Sequence, residues 1–312
     1  MMSRLDRTRT RTGLEKSEPS SPLLPRCVID SDTFLQAGIS CVVVEKHAGL
    51  DSHSRDWNMG LHWGAPTLKS LMTEDMWARI QSVQVDPSQP TANKDVIKFL
   101  NGQSGETMTA VPVENFYRLR RRKLRELLAE DLDVWYGKAL RSISYSSDGE
   151  TATAWFDDGS SVSANLIAGT DGARSTVRQQ LLGPESGAIR QLPYSATFVQ
   201  ARFTAEQALY LRKFHPLYIA GINPAGFFSF LGMHDAPDPD DPKQWTFFFY
   251  ISWQSSLEEQ EATAHWTNAQ RLQQVKGLAK SFTDPFRSAF EWLDDDHPVW
   301  YMGLTDFDPG AE

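Results

Sequence analysis

The chain has 312 residues, and 31 Lys and Arg against 40 Asp and Glu leave a formal charge of −9, which disfavours a general affinity for nucleic acid. With 40% hydrophobic residues, ten Trp and seventeen Phe it can bury a large core, so disorder of the whole chain is excluded and two domains of ordinary size are expected. Cys27 and Cys41 form no disulfide framework, there is no Asn-x-Ser/Thr sequon, and no apolar stretch approaches the roughly 20 residues that span a bilayer, so the expectation is a cytoplasmic protein without a membrane span.

Residues 1–32 carry Arg4, Arg7, Arg9, Arg11 and Lys16 among Ser, Thr and Pro, with almost no periodic apolar pattern, and read as a disordered basic tail. Asp6, Glu15 and Glu18 argue against a transit peptide. Phe34 to Gly38 looks like a last helical turn closed by a glycine, followed by a buried strand from Ser40 to Glu45. Apolar spacing predicts a helix over Leu61 to Ser82, short strands at Val96 to Leu100 and Thr107 to Val111, and a helix after Leu119 with Leu124, Leu127 and Leu128 on one face. The period then changes to two: Leu140 to Tyr145, Thr151 to Phe156 and Ser161 to Ala168 predict a three-stranded meander turned by Asp148-Gly149 and Asp158-Gly159. A helix from Ser175 to Leu182 follows the loop Gly169 to Arg174.

Beyond Gly183-Pro184, aromatic strands are expected at Tyr194 to Phe203, Leu217 to Gly221, Phe227 to His234 and Trp245 to Trp253, with a long helix from Ser256 to Ser281, a short one from Pro285 to Leu293, and a last strand from Val299. The fold class is therefore α/β, with a cofactor-type domain at 33–185, a second domain at 186–298 built on an aromatic-rich, largely antiparallel sheet covered by helices, and a returning strand at 299–312.

Three constellations could carry chemistry. Glu45 closes an apolar strand, where a carboxylate either is a solvated strand end or accepts hydrogen bonds from ribose hydroxyls at the carboxyl edge of a sheet. Arg118, Arg120, Arg121, Arg122, Lys123 and Arg125 lie across a helix start, where cations oppose the helix dipole. Some of them could face a phosphate, or all could be a solvated face pairing with Glu126, Glu130 and Asp131. In Gly169-Thr170-Asp171-Gly172-Ala173-Arg174-Ser175, the glycines permit a sharp turn against a ligand and Asp171 can accept hydroxyls; the alternative is an ordinary strand-to-helix turn. His215, His234 and the aromatic strands read as core or rim rather than as a site, and no metal-binding pattern occurs.

The segment Leu166 to Ser175, with Val177-Arg178 behind it, resembles the Asp-Gly motif of the single-component FAD-dependent aromatic hydroxylases, the p-hydroxybenzoate hydroxylase-like monooxygenases, and the likeness is greatest to fungal members. Ala37-Gly38-Ile39 with Val42-Val43-Val44-Glu45-Lys46 resembles that family's second strand and its ribose-binding acid. Arg121-Arg122-Lys123-Leu124 with Leu128 resembles its Arg-x-x-Leu-x-x-x-Leu helix, whose arginine approaches the FAD. The resemblance implies a partial Rossmann-like FAD-binding domain, cofactor contacts from Glu45, Lys46, Arg121, Asp171 and Gly172, NAD(P)H as reductant, and hydroxylation of a small organic, aromatic substrate. It singles out no catalytic side chain, because the flavin carries the chemistry.

Two family features are absent. No two of the twenty glycines are separated by one residue, so there is no Gly-x-Gly-x-x-Gly, and there is no Gly-Asp dipeptide. The expectation is a cofactor domain cut at both ends and lacking its first strand, with FAD binding weak or lost. The rival expectation is a non-catalytic fragment or interaction protein derived from such an enzyme.

Overall fold

The computed structural model describes residues 22–23, 38–52, 56–130 and 132–310. In chain order its elements are β1 (Pro22–Leu23), β2 (Val42–Glu45), β3 (Asn58–Leu61), α1 (Ala65–Leu71), α2 (Glu74–Ala78), β4 (Asp95–Asn101), β5 (Thr107–Val113), β6 (Tyr117–Arg120), α3 (Arg121–Leu128) and β7 (Val134–Tyr136). There follow β8 (Leu140–Tyr145), β9 (Ala152–Phe156), β10 (Ser161–Ala164), α4 (Thr176–Ser186), β11 (Arg190–Arg202), α5 (Ala205–Arg212), β12 (Tyr218–Asn223) and β13 (Phe227–Asp235). The chain continues through β14 (Thr246–Gln254), α6 (Leu257–Ala262), α7 (Asn268–Ala279), α8 (Phe286–Glu291) and β15 (Trp300–Asp306).

These elements divide into two units, one of Met1–His53 with Leu128–Ala188 and one of Ser54–Leu127 with Ile189–Glu312. The expected contiguous cofactor domain at 33–185 is thereby corrected. Residues 54–127 group with the aromatic sheet because β4 joins it by pairing in parallel with β12, Phe99 opposite Ala220, and β5 follows β4.

In the first unit β1, β2 and β7 form a parallel sheet in the order β1-β2-β7, with Pro22 opposite Val42 and Glu45 opposite Tyr136. Read from β7, this is the third-second-first order of a mononucleotide-binding half. The expectations that the first strand is missing and that residues 1–32 are all disordered are corrected at Pro22–Leu23. A strand needs only backbone groups in register, and two residues between Ser21 and Leu24-Pro25 carry no periodicity from which to foresee it. The rest of the expected tail, and the helical turn before Gly38, lie outside the described residues. The meander β8, β9 and β10 forms as expected, but its third strand stops at Ala164 instead of Ala168. Val42 and Val44 of β2 pack in one cluster with Ala154, Phe156 and Val162 of the meander.

The second unit holds a seven-stranded sheet in the order β15-β11-β14-β13-β12-β4-β5, and a separate ribbon of β3 and β6. Alternation along β14 sorts its aromatic run onto two faces. Phe247, Phe249 and Ile251 are buried with Leu211 of α5, Val275 of α7 and Phe290 of α8 in the main core. Phe248 and Tyr250 turn the other way, toward Phe198, Phe230, Trp57 and Trp300. Tyr250 stands opposite both Phe198 and Phe230 in register, so three strands bring their rings together.

Two expected helices are broken. Leu61 closes β3, and Thr73 starts α2 by accepting the Met76 N–H at 3.2 Å, so Leu61 to Ser82 is a strand end and two short helices. Ser256 to Ser281 divides at Thr267, which forms a capping box with Gln270 at the start of α7. The unforeseen α5 carries the same signature, Thr204 with Gln207.

Candidate functional site

β2 is apolar through Val44 and buried along its whole length, so its last residue, Glu45, carries its carboxylate into the carboxyl edge of the parallel sheet while only 3% exposed. One oxygen, Oε1, accepts the His47 backbone N–H at 2.9 Å and lies 2.7 Å from His47 Nδ1. The Glu45 carbonyl accepts the Lys138 N–H at 2.9 Å, and the His47 carbonyl accepts the Gly137 N–H at 2.9 Å. The end of β2 is thus fastened to the turn after β7, which holds the carboxylate in place. Lys46, next along, is exposed.

The turn into α4 is organised by Asp171. Its Oδ2 accepts the N–H of Thr176 at 2.6 Å and of Val177 at 3.2 Å, and its Oδ1 accepts the Ser175 hydroxyl. Ser175 Oγ in turn accepts the Arg178 N–H at 2.9 Å, so two side chains satisfy three N–H groups that the first helical turn leaves open. Gly172 has φ +82°, a left-handed conformation that other residues adopt at a cost. Gly169 runs so close to α4 that a Cβ there would meet Val177 Cβ at 2.4 Å. The reading of Asp171 as an acceptor of ligand hydroxyls is qualified accordingly: both of its oxygens serve the turn. Val44, Ala154, Phe156, Ile167, Ala168 and Val177 line one small apolar hollow, which sets the end of β2 beside the start of this turn. The structure therefore brings Glu45, Lys46, Asp171 and Gly172 into one unit and places Arg121 in the other.

Arg121 is exposed at the first position of α3, and its N–H donates to the Trp57 carbonyl at 2.9 Å. The other basic residues of the run separate by structure. Arg118 and Arg120 lie on β6 rather than on a helix. Arg120 Nε binds Asp56 at 2.6 Å and its Nη1 binds Asp235; Lys123 lies 3.0 Å from Asp235, and Arg122 pairs with Glu126 at 2.9 Å on one helix face. The expected acidic partner Glu126 is thus found for Arg122. Asp56 and Asp235, which nothing in the local pattern links to this run, neutralise Arg120 and Lys123.

Arg118, which sequence reasoning did not separate from its neighbours, is buried. Its Nη2 donates to Asn58 Oδ1, its guanidinium lies 4.8 Å from the Phe230 ring centre, and burial pushes its pKa down to about 10. Next to this group His234 is buried, 3.9 Å from Asp56, and its pKa is pushed down to about 4 by burial. His215 Nδ1 accepts the N–H groups of Leu217 at 3.1 Å and Tyr218 at 3.0 Å, the satisfied rim histidine the sequence suggested. Among the described residues no group of three His, Cys, Asp or Glu could hold a metal ion, and no helix is long and apolar enough to cross a membrane.

A family model described as FAD binding domain matches residues 28–292. The chain is 32% identical over 268 residues to the FAD-dependent monooxygenase cctM of Talaromyces islandicus, covering 86% of this chain and 65% of that protein. It is 30% identical over 304 residues to the FAD-dependent monooxygenase dbaB of Emericella nidulans, covering 93% and 77%. The chain thus spans about two thirds of the length of the cctM relative. Among solved structures, 2,6-dihydroxypyridine-3-hydroxylase from Arthrobacter nicotinovorans shares the fold at a TM-score of 0.67 and 15% identity, covering 94% of this chain and 74% of that one. Klebsiella pneumoniae HpxO complexed with FAD and uric acid does so at 0.61 and 16%, covering 92% and 68%.

Proposed function

Because the chain belongs to the FAD binding domain family, together with fungal FAD-dependent monooxygenases, we propose that it is the greater part of an enzyme that uses FAD and NAD(P)H to hydroxylate a small aromatic substrate. The observation that carries this reading is Glu45: a buried carboxylate, fixed through His47, at the carboxyl edge of a parallel β7-β2-β1 sheet. Such an edge is where the adenosine ribose of a dinucleotide donates its hydroxyls.

The residues present fit part of the cofactor. Glu45 would hold the ribose, with Lys46 exposed beside it. The turn at Gly172, held open by Asp171, would present backbone rather than carboxylate to the ribityl side. When bound, FAD supplies oxygen activation and the redox step. This chain's own residues bind and orient, and the aromatic face of its sheet excludes water from an apolar substrate. No Gly-x-Gly-x-x-Gly is present to meet the pyrophosphate with backbone N–H groups, so the 312-residue chain is expected to hold FAD weakly.

Titration of FAD into the purified chain, followed by flavin fluorescence, tests this. Glu45→Gln keeps the shape but removes the anionic acceptor and should weaken binding about ten-fold or more. FAD binding that is indifferent to Glu45→Gln would overturn the site. No binding at any concentration would favour a non-catalytic relative.

A further inference from the structure

Among the described residues two carboxylates are almost or fully buried, one in each unit, and they are met in different ways. Asp86, in the second unit, is ion-paired with Arg212, a permanent cation carried by the distant α5, and accepts the Ser88 N–H at 3.0 Å from its own turn. Glu45, in the first, is met by an imidazole two residues along: its Oε1 accepts the His47 N–H at 2.9 Å and lies 2.7 Å from His47 Nδ1. The Asp86 pair joins elements far apart in the chain and holds the fold together. The Glu45 contact is local, so it fastens no second element to β2.

Backbone groups do the fastening at this edge. The turn after β7 offers two successive N–H groups, Gly137 to the His47 carbonyl and Lys138 to the Glu45 carbonyl, each at 2.9 Å, with Gly137 at φ +72°. These bonds do not involve the imidazole and survive its removal. What the imidazole adds is direction. An ionised carboxylate only accepts hydrogen bonds, so the ring proton sits on Nδ1, and two donors converging on Oε1 fix the rotation of the carboxyl group. Hydrogen bonds weaken steeply with angle, so an acceptor held in one rotation receives a hydroxyl better than one that turns freely. The His47 side chain is 33% exposed, at the rim of the sheet edge and not in its core.

We infer that His47 is a positioning residue for the adenosine half of the cofactor: its Nδ1–H sets the rotation in which the Glu45 carboxylate receives a ribose hydroxyl. The inference deepens the FAD reading and rests on it for the identity of the ligand. His47 acts through Glu45 and makes no contact of its own with the cofactor, which gives it a distinct signature.

Titration of the full 312-residue chain with FAD and with its 2′-deoxyadenosine analogue, followed by flavin fluorescence, tests it. The wild-type chain should bind FAD about five-fold or more tightly than the analogue. His47→Phe, which keeps a ring but removes the donor, should weaken FAD about five-fold or more and bring the two ligands within about two-fold of each other, whereas His47→Asn, whose side-chain N–H can take the place of Nδ1–H, should stay within about two-fold of the wild-type chain. Because His47 acts through Glu45, the Glu45→Gln, His47→Phe double variant should bind within about two-fold of Glu45→Gln alone. Losses that add in full would make His47 a direct ligand of the cofactor and overturn the inference, as would a His47→Asn chain as weak as His47→Phe. Should His47→Phe fail to fold by circular dichroism, the wild-type tautomer decides: nitrogen NMR of the histidine-labelled chain at alkaline pH should find the His47 proton on Nδ1, and a proton on Nε2 overturns the inference. FAD binding that falls with Glu45→Gln and ignores His47→Phe removes only this inference. Binding that ignores both, or no binding at all, removes the Glu45 site with it.

Discussion

At the level of single residues, Asp171 shows how a family motif and a local structural need can fall on one side chain. Its two oxygens hold the first-turn N–H groups of Thr176 and Val177 and the Ser175 hydroxyl. Asp171→Ala should therefore destabilise the chain by about 1–3 kcal/mol in urea denaturation, with or without FAD. A loss seen only in the presence of FAD would mean that the carboxylate serves the ligand instead. His234 gives a pH signature. Burial lowers its folded pKa from 6.5 to about 4, against Asp56 and Asp235 on one side and Arg118 and Arg120 on the other. Between those values the unfolded chain binds more protons than the folded one, so stability is full above about pH 6.5 and is lost as pH falls toward 4, by up to about 3 kcal/mol. His234→Gln should flatten that slope in denaturation curves taken across the interval; an unchanged slope would assign it to other groups.

At the level of elements, the sequence was most legible where one periodicity ran unbroken. The meander, β11 to β14 and the strand pair β4 and β5 were visible from alternation and turn glycines, because one face of each strand meets a core. Helix breaks were not, since Met72-Thr73 interrupts an apolar pattern whose spacing continues across it and Thr263 to Thr267 lies inside a long polar stretch, and only the capping threonines mark the divisions. The run Phe247-Phe248-Phe249-Tyr250 was legible as a strand but not as two functions. Phe249 is fully buried and meets Phe290 edge-on at 4.9 Å, whereas Tyr250 faces the half-buried aromatic side. Phe249→Ala should cost about 3–5 kcal/mol of stability, while Tyr250→Phe should cost under about 1 kcal/mol. Equal costs in parallel urea titrations would contradict the assignment of faces. In the candidate site, Glu45 and the Gly169 to Ser175 turn were readable because they follow strands in sequence. Arg118 was not, because its isolation depends on Asp56 and Asp235 choosing its neighbours, a pairing across the chain that no local pattern encodes.

At the level of the whole molecule, the two units differ in what holds them. The second closes on aromatic rings and aliphatics between a seven-stranded sheet and three helices, with Phe247, Phe249, Phe282, Phe286 and Phe290 almost or fully buried. In the first, a three-stranded parallel sheet and a three-stranded meander share a cluster of Val42, Val44, Ala154, Phe156 and Val162. Each fully buried Phe contributes roughly 1.5–3 kcal/mol and an alanine far less, so the first unit should open at lower free energy than the second. Hydrogen exchange followed by mass spectrometry should show amides of β2, β7 and β9 exchanging faster than those of β11, β13 and β14. A ligand that binds only the folded form of a unit stabilises it by an amount that grows with concentration over Kd, about 2.7 kcal/mol at one hundred times Kd. Saturating FAD should accordingly slow exchange in β2 and in the turn around Asp171 more than in β14. Uniform protection without FAD would show that the units do not open separately, and FAD-dependent protection confined to β14 would move the cofactor site away from Glu45.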